Sequence, residues 1–285
     1  MMVLFILFLS LVLLTLWMFH EASLYEINRY PVKIRKKLHQ SFKVLHLTDI
    51  HFYKKHSKME SFFDRLADEE FDFVLISGDI IDSLEGIPVA GENLKKLKAK
   101  NGIYAVLGNH DYYDYYFGDV LLHNFPGQRK PRRIQKVDLL LSTLKEAGIR
   151  VLRNETLAFS HQGDAFLLHG LDDPTTGKAN IRETLKNYDP EKINILLTHS
   201  VDVFLDIGRN EIDLSFSGHS HGGQIRLPWI GAILTHTTIG KQYVSGIRRL
   251  RGAICSISRG LGCGRFLPVR LLCKPEVIVL EVYGR

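Results

Sequence analysis

A chain of 285 residues with 45% hydrophobic content can bury a full core, and it fits one large domain with an extra terminal segment. Ordinary Gly, Pro and charged fractions exclude a disordered, collagenous or repeat protein. A net charge of +6 and a pI near 9.1 favour an anionic partner or surface, though only weakly.

Residues 1–19 are uncharged, and only Ser10 and Thr15 interrupt the apolar run. At 1.5 Å per residue, about 19 residues nearly cross a hydrocarbon core. A secretory signal would want a basic start and a small-residue cleavage site. No Lys or Arg precedes the run, and Glu21-Ala22-Ser23 is a poor cleavage site. Residues 1–20 therefore read as a retained single-pass transmembrane helix and 21–41 as a basic linker, each with one histidine, His20 and His39. Arg29, Lys33, Arg35, Lys36 and Lys37 follow the span closely, so the positive-inside bias places the large C-terminal part on the cytoplasmic side of the membrane. The same cations suit contact with anionic lipid heads, or a solubilising linker, and the two roles are compatible.

From residue 42 the pattern turns α/β. Residues 42–47 read as a strand running into Thr48-Asp49-Ile50-His51. Residues 59–67 space Met59, Phe62, Phe63 and Leu66 helically. A buried strand over 71–77 ends on Gly78-Asp79. Leu94 and Leu97 suggest an amphipathic helix stopping near Asn101-Gly102, and 103–107 is a strand delivering Gly108-Asn109-His110-Asp111. Three strand–loop–helix units thus recur, each strand ending on ligand-type residues, as sites in such sheets do.

Residues 112–136 break the rhythm with Tyr112, Tyr113, Tyr115, Tyr116 and Phe117, then Leu121 and Leu122, then Arg129, Lys130, Arg132 and Arg133. This insert reads either as a cover over the site or membrane contact, or as a surface helix. Residues 137–147 are helical up to Gly148, and 151–171 hold short strands around the turn 161–164. Strands over 193–197 and 214–217 deliver Thr198-His199 and Gly218-His219-Ser220-His221-Gly222-Gly223. The remainder is β-rich, clearest at 253–258 and 277–282. Two sheets flanked by helices, one domain over 42–285, is the economical architecture. The late cysteines Cys255, Cys263 and Cys273 match no zinc knuckle and read as free thiols of a reducing compartment.

The chemistry lies in the strand-end clusters. Asp49 and His51, at i and i+2, can face one cation with a hard oxygen and an imidazole nitrogen. Asp79 is the natural bridge between two metals, and Asn109 adds an amide oxygen without further negative charge. His199, His219 and His221 complete the shells. A nitrogen–oxygen set without thiolate suits Mn, Fe or Zn and does not choose among them. Two such metals activate a hydroxide and polarise a phosphoryl oxygen. His110 suits protonation of a leaving group or binding of a phosphoryl oxygen, and Asp82 and Asp111 suit orienting ligand histidines.

The ordered set Asp49-x-His51, Gly78-Asp79-x-x-Asp82, Gly108-Asn109-His110-Asp111, Thr198-His199 and Gly218-His219-x-His221 resembles the calcineurin-like metallophosphoesterase superfamily. That resemblance implies a four-layer α/β/β/α sandwich of two mixed sheets and a dinuclear metal site. It implies one metal held by Asp49, His51, Asp79 and His221, another by Asp79, Asn109, His199 and His219, and His110 as catalytic histidine. The N-terminal apolar segment, Gly222-Gly223-Gln224 and Ser258-Arg259-Gly260-Leu261-Gly262 resemble the membrane-associated bacterial branch. That branch includes phosphodiesterases and UDP-2,3-diacylglucosamine hydrolases of lipid A synthesis.

One Asp-x-His or Gly-Asp pair is usually a plain loop feature, but five clusters after successive strands are not. His46, His161, His169 and His236 lack such company and read as packed or surface histidines. The loop after Arg259 suits phosphate binding through its amides, or a plain turn. The expected function is a membrane-anchored phosphohydrolase acting by metal-activated hydroxide on a phosphodiester or pyrophosphate, with a lipid-linked substrate such as UDP-2,3-diacylglucosamine. The alternatives are a broad phosphodiesterase on soluble nucleotides or cell-wall phosphates, and a non-catalytic metal-binding membrane scaffold. A nuclease is disfavoured by the anchor and by the lack of a base-stacking platform, so no nucleic acid is expected as partner.

Overall fold

A computed structural model of the chain describes residues 1–115, 133–208 and 212–285. Helix α1 (Met2–Glu21) is followed by strand β1 (Glu26–Lys33) and strand β2 (Phe42–Leu47). Helix α2 (Ser57–Ala67), β3 (Phe73–Ser77), helix α3 (Gly86–Leu94), β4 (Ile103–Val106), helix α4 (Val137–Glu146) and β5 (Ile149–Val151) follow. The second half holds β6 (Glu155–His161), β7 (Asp164–Gly170), β8 (Ile193–Leu197), β9 (Leu214–Ser217), β10 (Arg226–Leu227), β11 (Gly231–Ala232), β12 (Gly246–Leu250), β13 (Ala253–Ile257) and β14 (Glu276–Tyr283).

Two six-stranded mixed sheets carry the fold, in the orders β1-β14-β2-β3-β4-β5 and β6-β7-β8-β9-β13-β12. The period-2 alternation of the buried strands sorts side chains between layers. Leu45, Leu47, Val74, Ile76, Val277 and Val279 face the helices α2, α3 and α4. Their neighbours Val44, Phe73, Leu75, Ile278, Leu280 and Val282 face the second sheet, where Phe166, Leu168, Ile195 and Phe216 meet them. On the far side of that sheet Leu196, Cys255 and Ile257 pack under Val201, Val203 and Phe204. There the expected helical layer is thin, made of the short turns Ile181–Thr184 and Val201–Leu205.

Helix α2 follows its spacing closely, burying Phe62, Phe63 and Leu66, each phenylalanine contributing roughly 1.5–3 kcal/mol. Two expectations need correction. The helix expected around Leu94 and Leu97 ends at Leu94, because Lys98–Ala99 pairs as a strand with Glu70–Phe71. The linker expected over 21–41 contains β1, which lies parallel to β14 from Glu26↔Glu276 to Lys33↔Tyr283. Two of its cations are engaged accordingly: Arg29 pairs with Glu69 at 2.6 Å and Lys36 with Asp213 at 3.4 Å. Of the aromatic–basic insert, residues 116–132 lie outside the described residues. All three cysteines are free thiols.

His46 ties the two sheets together. Its ring meets the hydroxyl of Ser77 on β3 at 2.9 Å and that of Ser256 on β13 at 3.0 Å. Burial pulls its pKa down to about 3. The neutral ring's contribution is therefore complete above about pH 6.5, the unfolded value, and is lost as pH falls toward 3, at about 1.4 kcal/mol per pH unit. Denaturant titrations of the detergent-solubilised chain across that window should show His46→Gln with a shallower acid limb than the wild type by this slope.

Candidate metal centre

Parallel pairing puts the ends of β2, β3 and β4 at one edge of the first sheet, and those of β8 and β9 at one edge of the second. Past the strands the ladder continues between loops. The Asp49 amide donates to the Gly78 carbonyl at 3.0 Å, and the amides of Ile50 and His51 to that of Asp79 at 2.9 and 3.1 Å. The Gly218 amide donates to His199 at 3.0 Å. Asp49, His51, Asp79, His219 and His221 all adopt left-handed backbone, with φ of 46°, 53°, 50°, 68° and 50°. This region is disfavoured for residues with a Cβ, and it persists where surrounding structure over-determines it, commonly at functional sites. Two glycines let the loops close in. A Cβ on Gly108 would stand 2.3 Å from Asp79 Oδ1, and one on Gly218 would stand 2.1 Å from Asp49 Oδ2.

Three overlapping groups of ligand atoms result: Asp49 with His51 and His221, Asp79 with His199 and His219, and His51 with Asp79 and His110. Asp79 Oδ2 lies 3.3 Å from His199 Nε2 and 3.7 Å from His51 Nε2, between the first two groups. Asp49 Oδ1 lies 3.6 Å from His221 Nε2, while both its oxygens accept the His219 amide at 3.1 and 3.0 Å. Imidazole nitrogens face one another at 3.2 Å between His51 and His221, and at 3.1 Å between His199 and His219. Each such pair can share at most one proton. Lone pairs and carboxylate oxygens converging in this way fit divalent cations of the Mn, Fe or Zn type, and nothing in the donor set selects one.

Burial alone would raise the Asp79 carboxyl, but the imidazoles of His199, His110 and His51 outweigh it and hold its pKa well below the usual range. His199 shows the reciprocal effect: burial pulls it down, but Asp79 and Asp49 push it well up. Burial, reinforced by the neighbouring His199 for His219 and His51 for His221, pulls both of these rings well down. These two rings are neutral near pH 7, the state in which a histidine ligates.

Asn109 lines the same cavity, its amide nitrogen donating to Tyr115 Oη at 3.1 Å and its Oδ1 accepting from Thr175 Oγ1 at 3.4 Å. His110 Nδ1 lies 2.7 Å from Asp82 Oδ1, which is also 3.6 Å from His51 Nδ1. Asp111 departs from its expected role. Its carboxylate accepts the amides of Ile80, Ile81 and Gly108 at 2.8, 3.0 and 2.9 Å, so it braces the Asp79 and Asn109 loops rather than a ligand imidazole. The physical reason is depth: Asp111 points back under the loops, where unpaired amides need an acceptor.

The loop after Arg259 is likewise a brace. The amides of Arg259 and Gly260 donate to Glu276 and Ser258 side chains, and those of Leu261 and Gly262 to the carbonyls of Thr48 and Asp49. None is left to hold a phosphate. Behind it, the buried Arg270 guanidinium donates to the carbonyls of Arg259, Gly260, Gly262 and Cys273 at 2.8, 3.2, 2.6 and 3.1 Å.

The centre opens into a cavity of about 510 Å³. Its other walls were not foreseen. His236, expected as packed or surface, lines it with its ring 6.3 Å from that of His219. Arg265 also lines it; its amide donates to Asp82 Oδ2 at 2.7 Å and its side chain reaches Asp114. Among the described residues its buried Nε has no hydrogen-bond partner. Both residues sit on irregular loops that carry no periodic signal. His46 and His169, by contrast, are packed as expected, His169 between Thr156 and Asn194.

The contact at Gly108 generates a direct check. Gly108→Ala must push Asp79 or its loop aside, and misplacement of this order costs about 10²-fold in rate. Far-UV circular dichroism should remain that of the wild type, while turnover of bis(p-nitrophenyl) phosphate with added Mn²⁺ falls by that factor.

The family model for calcineurin-like phosphoesterases matches residues 42–223, more than half of the chain. Uncharacterized metallophosphoesterase YkoQ of Bacillus subtilis (strain 168) is 31% identical over 252 residues, covering 87% of this chain and 84% of that one. Phosphodiesterase YaeI of Escherichia coli (strain K12) is 28% identical, covering 92% and 90%. UDP-2,3-diacylglucosamine pyrophosphatase LpxG of Chlamydia muridarum is 25% identical, covering 95% and 93%. The matched stretch carries every loop that bears the candidate ligands described above, and the chain belongs to the calcineurin-like phosphoesterase family, a metallophosphoesterase that hydrolyses phosphate-containing substrates.

Proposed function

We propose that this phosphoesterase is anchored in the membrane by α1 and cleaves a lipid-linked phosphodiester or pyrophosphate, with UDP-2,3-diacylglucosamine as the specific substrate. The observation that carries this reading is the mixed lining of the cavity, which brings the carboxylates and imidazoles together with Ile225, Ile233, Leu234, Phe266 and Leu267. A substrate with a phosphate beside acyl chains matches both kinds of lining, and the relatives named UDP-2,3-diacylglucosamine pyrophosphatase support that choice. Helix α1 is 20 residues long with its apolar window unburied, which supports an anchor, and the cations after it favour a catalytic domain on the cytoplasmic side.

In this reading Asp49, His51, Asp79 and His221 hold one divalent cation, and Asp79, Asn109, His199 and His219 the other. When bound, the two cations supply Lewis acidity toward a phosphoryl oxygen and lower the pKa of water. The chain's own residues do the rest. His110 donates through Nδ1–H to Asp82, which fixes the ring and leaves Nε2 to carry a proton to the departing oxygen. Asp82 is a positioning residue, held by the Arg265 amide on its other oxygen. Arg265 itself places a cation beside the site, where a phosphoryl group gathers charge.

A second reading, a phosphodiesterase of broad range, is favoured by the likeness to phosphodiesterase YaeI. Detergent-solubilised protein, stripped by chelator and reloaded with Mn²⁺, separates the two. Offered UDP-2,3-diacylglucosamine beside bis(p-nitrophenyl) phosphate, it should turn over the lipid fast and the ester slowly, lose both activities on stripping, and lose both in Asp79→Ala. Ester cleavage without lipid turnover would favour the broad enzyme. Activity on neither would overturn the catalytic reading. Asp82→Asn should lower kcat about 10–100-fold with KM little changed, the usual cost of losing the partner that orients a site histidine.

A further inference from the structure

Helix α1 is seated on the catalytic domain by its last turn. The Arg270 amide donates to the Met18 carbonyl at 3.0 Å, and the Cys273 amide to Glu21 Oε1 at 2.7 Å. The same segment, 267–273, seats the β10–β11 hairpin from its other edge. The Leu271 amide donates to the Gln224 carbonyl at 3.0 Å, and the Arg226 amide to the Leu271 carbonyl at 2.9 Å. Gln224 Nε2 adds bonds to the carbonyls of Leu267 and Val269 at 2.7 and 3.0 Å. Hairpin, segment and helix end are thus one hydrogen-bonded unit.

The tip of that hairpin is exposed and apolar. Trp229 is fully exposed at 102% and Ile230 at 64%. The turn holds Trp229 at φ 62°, a costly conformation for a tryptophan that displays its indole to the outside. Ile233, Leu234, Leu267 and Leu272 extend the exposed apolar surface from the tip to the root, and the first three of these also line the cavity mouth. Beside the end of α1, Lys58 donates to Ser23 Oγ at 2.9 Å, a cation at the level where a span leaves the hydrocarbon.

We propose that the β10–β11 hairpin is a second membrane contact, its Trp229-Ile230 tip set into the boundary between headgroups and acyl chains of the anionic bilayer that takes α1. The proposal rests on the anchored reading of α1. Three features select a bilayer as the occupant. The patch is continuous through hydrogen bonds with the end of an unburied apolar helix. An aromatic–aliphatic tip suits the interface, where tryptophan concentrates. Lys58 matches anionic headgroups. Two contacts, one helix and one hairpin, flank the cavity mouth and hold it against the bilayer. An acyl chain then passes from the lipid along Ile233, Leu234 and Leu267 without crossing water.

The chain's two tryptophans, Trp17 in α1 and Trp229 in the hairpin, make the test clean. The full-length Trp17→Phe and Trp229→Phe variants would each be reconstituted into phosphatidylcholine–phosphatidylglycerol vesicles, with and without bromine on the phosphatidylcholine chains. The expected result is that Trp229, in Trp17→Phe, emits blue-shifted light that brominated lipid quenches, most strongly when the bromine sits near the headgroups. Quenching of Trp17 with none of Trp229 would overturn the hairpin contact and leave the anchor standing. A blue-shifted but unquenched Trp229 would overturn it in favour of a protein partner or a second copy. Quenching of neither would remove the anchor, and the proposal with it.

Discussion

The burial of Asp79 between two sheets is the constraint on which the rest of the structure depends. A carboxylate at this depth is costly unless charge and hydrogen bonds surround it. Here His199 and His51 provide the charge, and the His110 amide donates to Oδ1 at 2.8 Å. To bring those groups close, the loops must approach to backbone contact, which is why glycine stands at 108 and 218 and why Asp49, His51, Asp79, His219 and His221 take a left-handed φ. Parallel strands do the coarse work, since only side-by-side strands of one direction end at a common edge.

A centre so crowded with strained loops needs support from outside the ligand-bearing strands. Asp111 gathers three amides from below, and Arg270 gathers four carbonyls from behind. Arg270 lies beyond the stretch that the family model matches, so the part of the chain after residue 223 buttresses a centre whose candidate ligands all lie earlier. Among the described residues its buried guanidinium is paired with carbonyls rather than with a carboxylate, satisfied by the planar fork of donors that an ammonium lacks.

The integration of residues 26–33 into the first sheet changes how α1 relates to the catalytic domain. A linker would let the domain swing, whereas β1 is zipped along the whole of β14 and Glu21 is locked to Cys273. The helix therefore leaves the domain at one place, beside the segment that also supports the Gly222–Gln224 turn and the cavity mouth. Whatever surface receives the helix is presented with the same face of the site.

The sequence by itself determined which carboxylates and imidazoles stand at the strand ends, and their order along the chain. The gathering of Asp49, His51, Asp79, Asn109, His110, His199, His219 and His221 at one set of strand ends was legible because each cluster follows a short apolar run, and short buried runs end where a sheet ends. The strands at 193–197 and 214–217 and the helix carrying Phe62, Phe63 and Leu66 were legible for the same local reason, their periodicity. Tertiary structure alone decided the rest. β1 reads as a basic stretch because an edge strand has one partner and keeps its charges outward, so no alternation marks it. Asp111 and the loop after Arg259 look like site chemistry in one dimension, and only depth shows that they serve amides and carbonyls. His236 and Arg265 reach the cavity from loops distant along the chain, and contacts of that kind have no local signature. They exist only once the two sheets have met.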